Sequence, residues 1–173
     1  MGNFQITAVE DGKKYWISRS MATRSELVVF DNNGNYYLLI NKRGIGTPDF
    51  QGCWNIPCGY LEYDVTTKEN ATKELLEETK VYIPHSLWYL IGIEDNPKRG
   101  DKQNVTVVYR CAVSKDYYDR ALALGVNMEN GGGEKDEVDD IWLMPLTVEN
   151  INSIEWAFNH KDVAFEILKN IKL

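Results

Sequence analysis

Residues 59–81, GYLEYDVTTKENATKELLEETKV, constrain the chain more than any other stretch. Thr66 followed three residues later by Glu69 is a capping-box signature, so a helix starts there. Within it Glu74, Glu77 and Glu78 share one stripe, because residues three and four apart are neighbours on a helix surface. Like charges at that spacing destabilise an isolated helix by roughly a few tenths of a kcal/mol per pair. Helix formation therefore does not explain the three acids. A hard divalent cation would, since Mg²⁺ takes oxygen ligands from a few carboxylates and from substrate phosphates. The competing reading is a solvated Glu-rich face, which Lys73 and Lys80 support, and ELLEE taken alone favours it.

The residues in front of the helix shift that balance. Pro57, Cys58 and Gly59 read as a turn after a short apolar strand around Trp54 to Ile56. With the helix they resemble the Nudix box: a glycine, five residues, Glu, seven residues, then Arg-Glu-apolar-x-Glu-Glu-x-Gly-apolar. Gly59, Glu74, Leu75, Glu77, Glu78 and Val81 stand at matching places, and fixed spacing over this length is far more specific than a lone glycine motif. Val65 stands where the family has its first Glu, Lys73 where it has Arg, and Lys80 where it has the second Gly. Cys58 replaces a glycine that commonly precedes the box, and Asp64 is one residue off register. Lysine keeps the positive charge without the planar fork of arginine. Valine can neither accept a side-chain hydrogen bond nor balance a metal charge.

The resemblance implies an α/β fold, a Nudix-like α/β/α sandwich on a mixed β-sheet. It also implies hydrolysis of a nucleoside diphosphate linked to another moiety, with Mg²⁺ or Mn²⁺ as cofactor. Glu74, Glu77 and Glu78 would be metal ligands, joined by the backbone carbonyl of Cys58. The general base would be a box glutamate or a residue of a later acidic loop, where Glu134, Asp136 and Glu137 cluster; Glu137 is the candidate taken forward. Arg43, ahead of the box, is placed to reach a substrate phosphate or is an ordinary strand-end charge, and the two readings weigh equally. Tyr60 joins it as a substrate-binding candidate. Trp16 is a further candidate, for base stacking, though an isolated aromatic in a strand is more often core. Because Val65 replaces an acid, a nucleotide-binding sensor with a weakened site is the alternative function. A purely structural α/β domain is the third.

Around the box, the order of elements is readable. Residues 14–22 suggest a first strand or edge. Leu27 to Phe30 and Tyr36 to Ile40 flank DNNGN, a hairpin signal in which Asn33 and Gly34 both tolerate positive φ. Leu87 to Ile93 and Val105 to Val113 read as two more antiparallel strands, the second with Val105, Val107, Tyr109, Cys111 and Val113 on one face. Lys115 to Leu124 suggests a short helix and Val138 to Met144 a strand. From Thr147 the chain reads as helical, with Val163, Ile167 and Ile171 on one apolar face beside Ala164 and Leu168.

A chain of 173 residues suits one domain, residues 1–173, with an N-terminal strand or extension over 1–23 and a helical segment over 147–173. The net charge of -7 argues against nucleic-acid or anionic-membrane partners, leaving a small-molecule substrate and room for a homodimer. Cys53, Cys58 and Cys111 form no CxxC pair, so neither a disulfide framework nor a zinc site is expected. With no apolar leader core and no long apolar run, a cytoplasmic setting is expected. His85 and His160 read as structural, and Asn70-Ala-Thr as a glycosylation sequon by pattern only.

Overall fold

The computed structural model describes residues 4–7, 12, 14–17, 19–96, 98, 104–128 and 136–171, with the strand segments 4–7 and 14–17 as backbone only. Strands β1 (Phe4–Thr7) and β2 (Lys14–Ile17) form an antiparallel ribbon of their own. The main sheet is organised on β3 (Met21–Phe30). Along one edge β3 pairs in parallel with β8 (Val105–Ser114), which in turn pairs antiparallel with β7 (Tyr89–Glu94). Its other edge is shared. Val28 to Phe30 pair with β4 (Tyr36–Arg43), and Ala22 to Arg24 pair with β6 (Cys58–Tyr60), both antiparallel. Beyond β4 lie β5 (Trp54–Asn55) and β9 (Val138–Pro145).

Alternation along the strands makes two cores, one on each face. Leu27 and Val29 of β3, Leu39 of β4 and Val107, Tyr109, Cys111 and Val113 of β8 face helices α1 (Thr67–Thr79) and α2 (Lys115–Val126). Val28, Leu38, Ile40 and Met144 face α4 (His160–Ile171) and the short α3 (Val148–Ser153). The result is the α/β/α sandwich on a mixed sheet. The apolar stripe of α4 is buried through Val163, Ala164, Ile167 and Leu168, as the four-residue spacing indicates.

Several sequence expectations are corrected. Residues 14–22 do not form one strand: β2 ends at Ile17 and belongs to the ribbon, and β3 begins at Met21. β3 starts well before its apolar run because its charged residues neutralise one another. Arg24 donates to Glu26 Oε1 from Nε and Nη2 at 3.1 and 2.9 Å and to Glu94 at 2.9 Å, while Arg110 donates to Glu26 Oε2. Pro57, Cys58 and Gly59 do not form a turn, since Cys58 and Gly59 are strand residues held by β3. In the hairpin only Gly34 takes a positive φ, +79°, and Asp31 accepts from the backbone of Asn33 and Asn35 to close a five-residue loop. The tail is not continuously helical, because residues 154–159 separate α3 from α4. Asn70 is fully buried on α1, which rules it out as an accessible sequon. Among the described residues no helix is long and apolar enough to cross a membrane.

Candidate active site

Where β3 passes from β4 to β6, those two strands part and a cavity of about 480 Å³ opens between them. Helix α1 forms one wall. Its start is fixed by the complete capping box, with Thr66 Oγ1 accepting from Glu69 N and the Glu69 carboxylate accepting from Thr66 N. Two side chains of β3 dock it: Ser25 Oγ donates to Ala71 O at 2.7 Å, and Thr23 Oγ1 accepts from Asn70 Nδ2 at 2.9 Å. Asn70 Nδ2 also lies 3.5 Å from Glu74 Oε1, and its Oδ1 accepts from Glu62 N. This buried amide thereby ties the helix to the loop before it.

The helix ends at Lys80, whose φ of 61° is left-handed and whose N–H donates to Leu76 O. Glycine favours that conformation and a side chain opposes it, so the family's second glycine has a physical reason that this chain overrides.

Glu74, Glu77 and Glu78 all line the cavity, together with Glu62 and Glu137. Glu62 is exposed, whereas the three helix glutamates are partly buried, and burial changes the acidity of Glu74, Glu77 and Glu78. Burial first, and the neighbouring Glu77 second, raise the Glu74 carboxyl to about 7. Burial raises Glu77 as well. Glu78 is pushed well above the ordinary range by burial and by Glu74, against a backbone hydrogen bond from Cys58 N at 3.2 Å that favours its charged form. Lys73 moderates the group by pairing with Glu62 and, at 3.7 Å, with Glu77.

The opposite wall is aromatic. Arg43 donates from Nε to Asp49 O at 3.0 Å and from Nη2 to Asp49 Oδ1 at 2.9 Å, and its guanidinium sits 5.2 Å from the ring centre of Phe158. Phe158 also meets Phe50 at 4.8 Å and His160 at 5.3 Å. His160 is buried, its Nδ1 accepts from Ile56 N at 3.0 Å, and burial holds it well below the usual histidine range, so it is neutral and structural. Cys58 is a partly buried lining residue whose thiol is raised to about 12 by burial, which makes it inert.

Of the residues singled out from the sequence, Glu74, Glu77, Glu78, Glu137, Arg43, Cys58 and Tyr60 therefore border one cavity. The backbone of Glu137 is pinned to the loop after β4 by Gly44 N donating to its carbonyl at 2.7 Å. The side chain of Trp16 and all of Glu134 lie outside the described residues. Asp64 is exposed and does not border the cavity. The acid that does so from that loop is Glu62, which has no motif to announce it. Asn41, Phe158 and Asp49 also escaped the sequence reading, since nothing local marks them.

The donor set is tested against a divalent cation by its chemistry. The glutamates are oxygen donors whose mutual repulsion is incompletely compensated, and Asn41, 1% exposed on the same wall as Arg43, has an Oδ1 with no partner among the described residues. Among the described residues no three His, Cys, Asp or Glu side chains form a ready-made metal cluster. Mg²⁺ does not require one, because it keeps several waters and is usually held by one or two carboxylates plus substrate phosphates. The residues fit such an ion.

A mixed-sheet α/β/α sandwich with a Glu-bearing helix beside a polar cavity defines a class of domain, and the comparisons say which. The chain belongs to the Nudix family: the family's model, described as NUDIX domain, matches residues 23–164. No curated protein matches it. Among solved structures it is similar to the NUDIX domain of Shewanella oneidensis NrtR complexed with ADP ribose, at 18% identity over 90% of each chain with a TM-score of 0.68. A mutT/nudix family protein from Listeria innocua matches at 20% identity over 90% of this chain and 96% of that one, with a TM-score of 0.62. A bifunctional NMN adenylyltransferase/ADP ribose pyrophosphatase from Francisella tularensis, complexed with AMP and a Mn ion, matches at 17% identity and TM-score 0.62 over 89% of this chain and 42% of that one. At these identities the likeness is one of fold.

Proposed function

We propose that this protein is a divalent-cation-dependent hydrolase that cleaves the pyrophosphate of a nucleoside diphosphate linked to another moiety. The observation that carries the reading is that Glu62, Glu74, Glu77, Glu78 and Glu137, from three separate segments, border one cavity that also holds Arg43. Clustered acids facing a cation-poor cavity serve no folding purpose, since each raises the others' cost of ionisation. Family membership and the ligands named for two of the similar structures, ADP ribose and AMP with a Mn ion, point to the same chemistry.

In this reading Glu74, Glu77 and Glu78, with the carbonyl of Cys58, hold Mg²⁺ or Mn²⁺. The ion when bound neutralises the pyrophosphate and acidifies a water. Arg43 binds a phosphate through Nη1, the guanidinium nitrogen not used by Asp49. Phe158 and Tyr60, which also line the cavity, hold the rest of the substrate. The P–O–P bond breaks as water oxygen joins one phosphorus, and the released proton passes to a carboxylate of the group formed by Glu74, Glu77, Glu78 and Glu137. The helix acids Glu74, Glu77 and Glu78 lie too close to titrate independently, so no single one of them is singled out as the base.

The test is Mg²⁺-dependent release of nucleoside monophosphate from a panel of nucleoside diphosphate derivatives. Glu77→Gln and Glu78→Gln should each abolish turnover while leaving the folded state intact, and unchanged rates in both would end the proposal. One observation favours a second reading, a nucleotide-responsive regulator: Val65 occupies the place of an acid, and the similar NrtR structures include one complexed with a 27mer DNA. Thermal stabilisation by a nucleoside diphosphate derivative without turnover on the whole panel would select it.

A further inference from the structure

Arg43 has an unexpected orientation. Six carboxylates line its cavity, from Asp49, Glu62, Glu74, Glu77, Glu78 and Glu137, yet among the described residues the guanidinium hydrogen-bonds to Asp49 alone and lies against Phe158 instead of collapsing onto the glutamates. Its Nη1 has no partner among the described residues. Coulomb attraction alone would pull an arginine toward the helix acids; the Asp49 pair holds it back on one side and the Phe158 ring bounds it on another.

The backbone shows how firmly that ring is held. Phe158 and Phe50 both have left-handed backbones, with φ of 54° and 51°, a conformation in which a bulky residue is an outlier. Outliers of this kind persist only where the surroundings enforce them. Here the two come from different loops and meet ring to ring at 4.8 Å. The loop carrying Phe158 is stitched to β5 by Trp54 N donating to Glu155 O and Ala157 N donating to Trp54 O, both at 2.8 Å, and His160 backs the ring at 5.3 Å. A ring fixed so firmly offers its negative face to a cation.

We infer that Phe158 is the positioning residue of Arg43, holding the guanidinium on the aromatic wall as a clamp for the phosphates of a nucleoside diphosphate. This rests on the reading proposed above and adds to it a residue outside the family box. Asp49 takes Nε and Nη2, and the ring attracts the cation from its other side without occupying a further N–H donor, so Nη1 stays available for a phosphate.

The experiment is titration calorimetry of the whole protein with ADP and Mg²⁺, alongside steady-state kinetics on the panel substrate that turns over best. Phe158→Leu should weaken ADP roughly 3- to 30-fold, the range expected for losing a cation–π contact. It should raise KM by a similar factor with little change in kcat, and Phe158→Tyr should restore wild-type affinity. In an Arg43→Ala background, Phe158→Leu should add no further loss, which a ring with a merely structural role would not obey. Equal ADP affinity for wild type and Phe158→Leu, or additive losses in the double variant, overturns the inference and leaves the hydrolase reading standing. Should Phe158→Leu not fold, the Phe158→Tyr and Arg43→Lys pair decides: tight binding by the first and weak binding by the second supports the clamp, and the reverse refutes it. If wild type binds neither ADP nor any panel substrate, the proposed function itself falls, and the clamp with it.

Discussion

The Cα of Gly59 lies directly against the carboxylate of Glu74, so close that a methyl group added at Gly59 would overlap both carboxylate oxygens. The glycine at the head of the box is therefore not required for a turn, because β6 is extended there and its φ is not left-handed. It is required so that β6 can pass beneath the helix acid. Gly59→Ala should leave the fold in place, since the atoms it meets are the far end of a side chain, but should displace Glu74. Under the proposed function turnover should drop roughly 10- to 100-fold, as when support for a metal ligand is removed. In a Glu74→Gln background the same change should cost little more, because two residues acting through one contact are not additive. Additive losses would show that Gly59 acts elsewhere.

Lys80 closes α1 in the conformation that glycine adopts without cost. Lys80→Gly should therefore stabilise the protein by about 1 kcal/mol, the left-handed penalty of a side chain less the extra entropy of glycine in the unfolded chain. Chemical denaturation with an unchanged m-value is the measurement. A loss of stability would mean that the Lys80 side chain contributes more than its backbone costs.

The raised pKa of Glu74 gives the metal-free protein a pH dependence with a definite sign. Its folded-state value of about 7 exceeds the ordinary value of 4.5, so the folded protein holds this proton more tightly than the unfolded chain. The associated stability is complete below the ordinary value and disappears as pH rises through about 7. Glu77 and Glu78, shifted in the same direction, add to the trend. In the presence of a chelator wild type should lose stability between pH 5 and pH 8. Glu74→Gln should lose less, and at pH 8 should exceed wild type by up to roughly 3 kcal/mol. Parallel pH profiles for the two proteins would contradict this account.

How much of this was legible in the sequence follows from how local each feature is. Thr66 and Glu69 specify the start of α1 within four residues, and the alternation of Val107, Tyr109, Cys111 and Val113 specifies a face of β8, because each pattern is written in neighbouring positions. The family box works for the same reason. β6 is not legible in this way, because only its pairing with Ala22 to Arg24 makes three residues a strand, and that pairing is invisible locally. The early start of β3 was hidden because Arg24 and Glu26 look like surface residues until Arg110 and Glu94 arrive from distant strands. Phe158 meets Arg43 only after the sheet and α4 have assembled, so no spacing rule could have joined them.

The sharpest test concerns the acid missing at position 65. Val65 is half-buried and does not border the cavity, and Asp64 beside it is exposed. Glu62, three residues earlier, borders the cavity and pairs with Lys73, itself the replacement for the box arginine. We propose that the acid is relocated to Glu62 rather than lost. If Glu62 supports the helix carboxylates, Glu62→Gln should raise the Mg²⁺ concentration needed for half-maximal rate roughly 10- to 100-fold, while Asp64→Asn should leave it unchanged. Val65→Glu should then do little in the wild type and should partly rescue Glu62→Gln, because it returns an acid to the family's position. If instead Val65→Glu improves wild-type activity by that factor and Glu62→Gln has no effect, the acid was lost, and Glu62 serves only to pair with Lys73. The two sets of outcomes exclude each other, and measuring Mg²⁺ dependence for these four proteins distinguishes them.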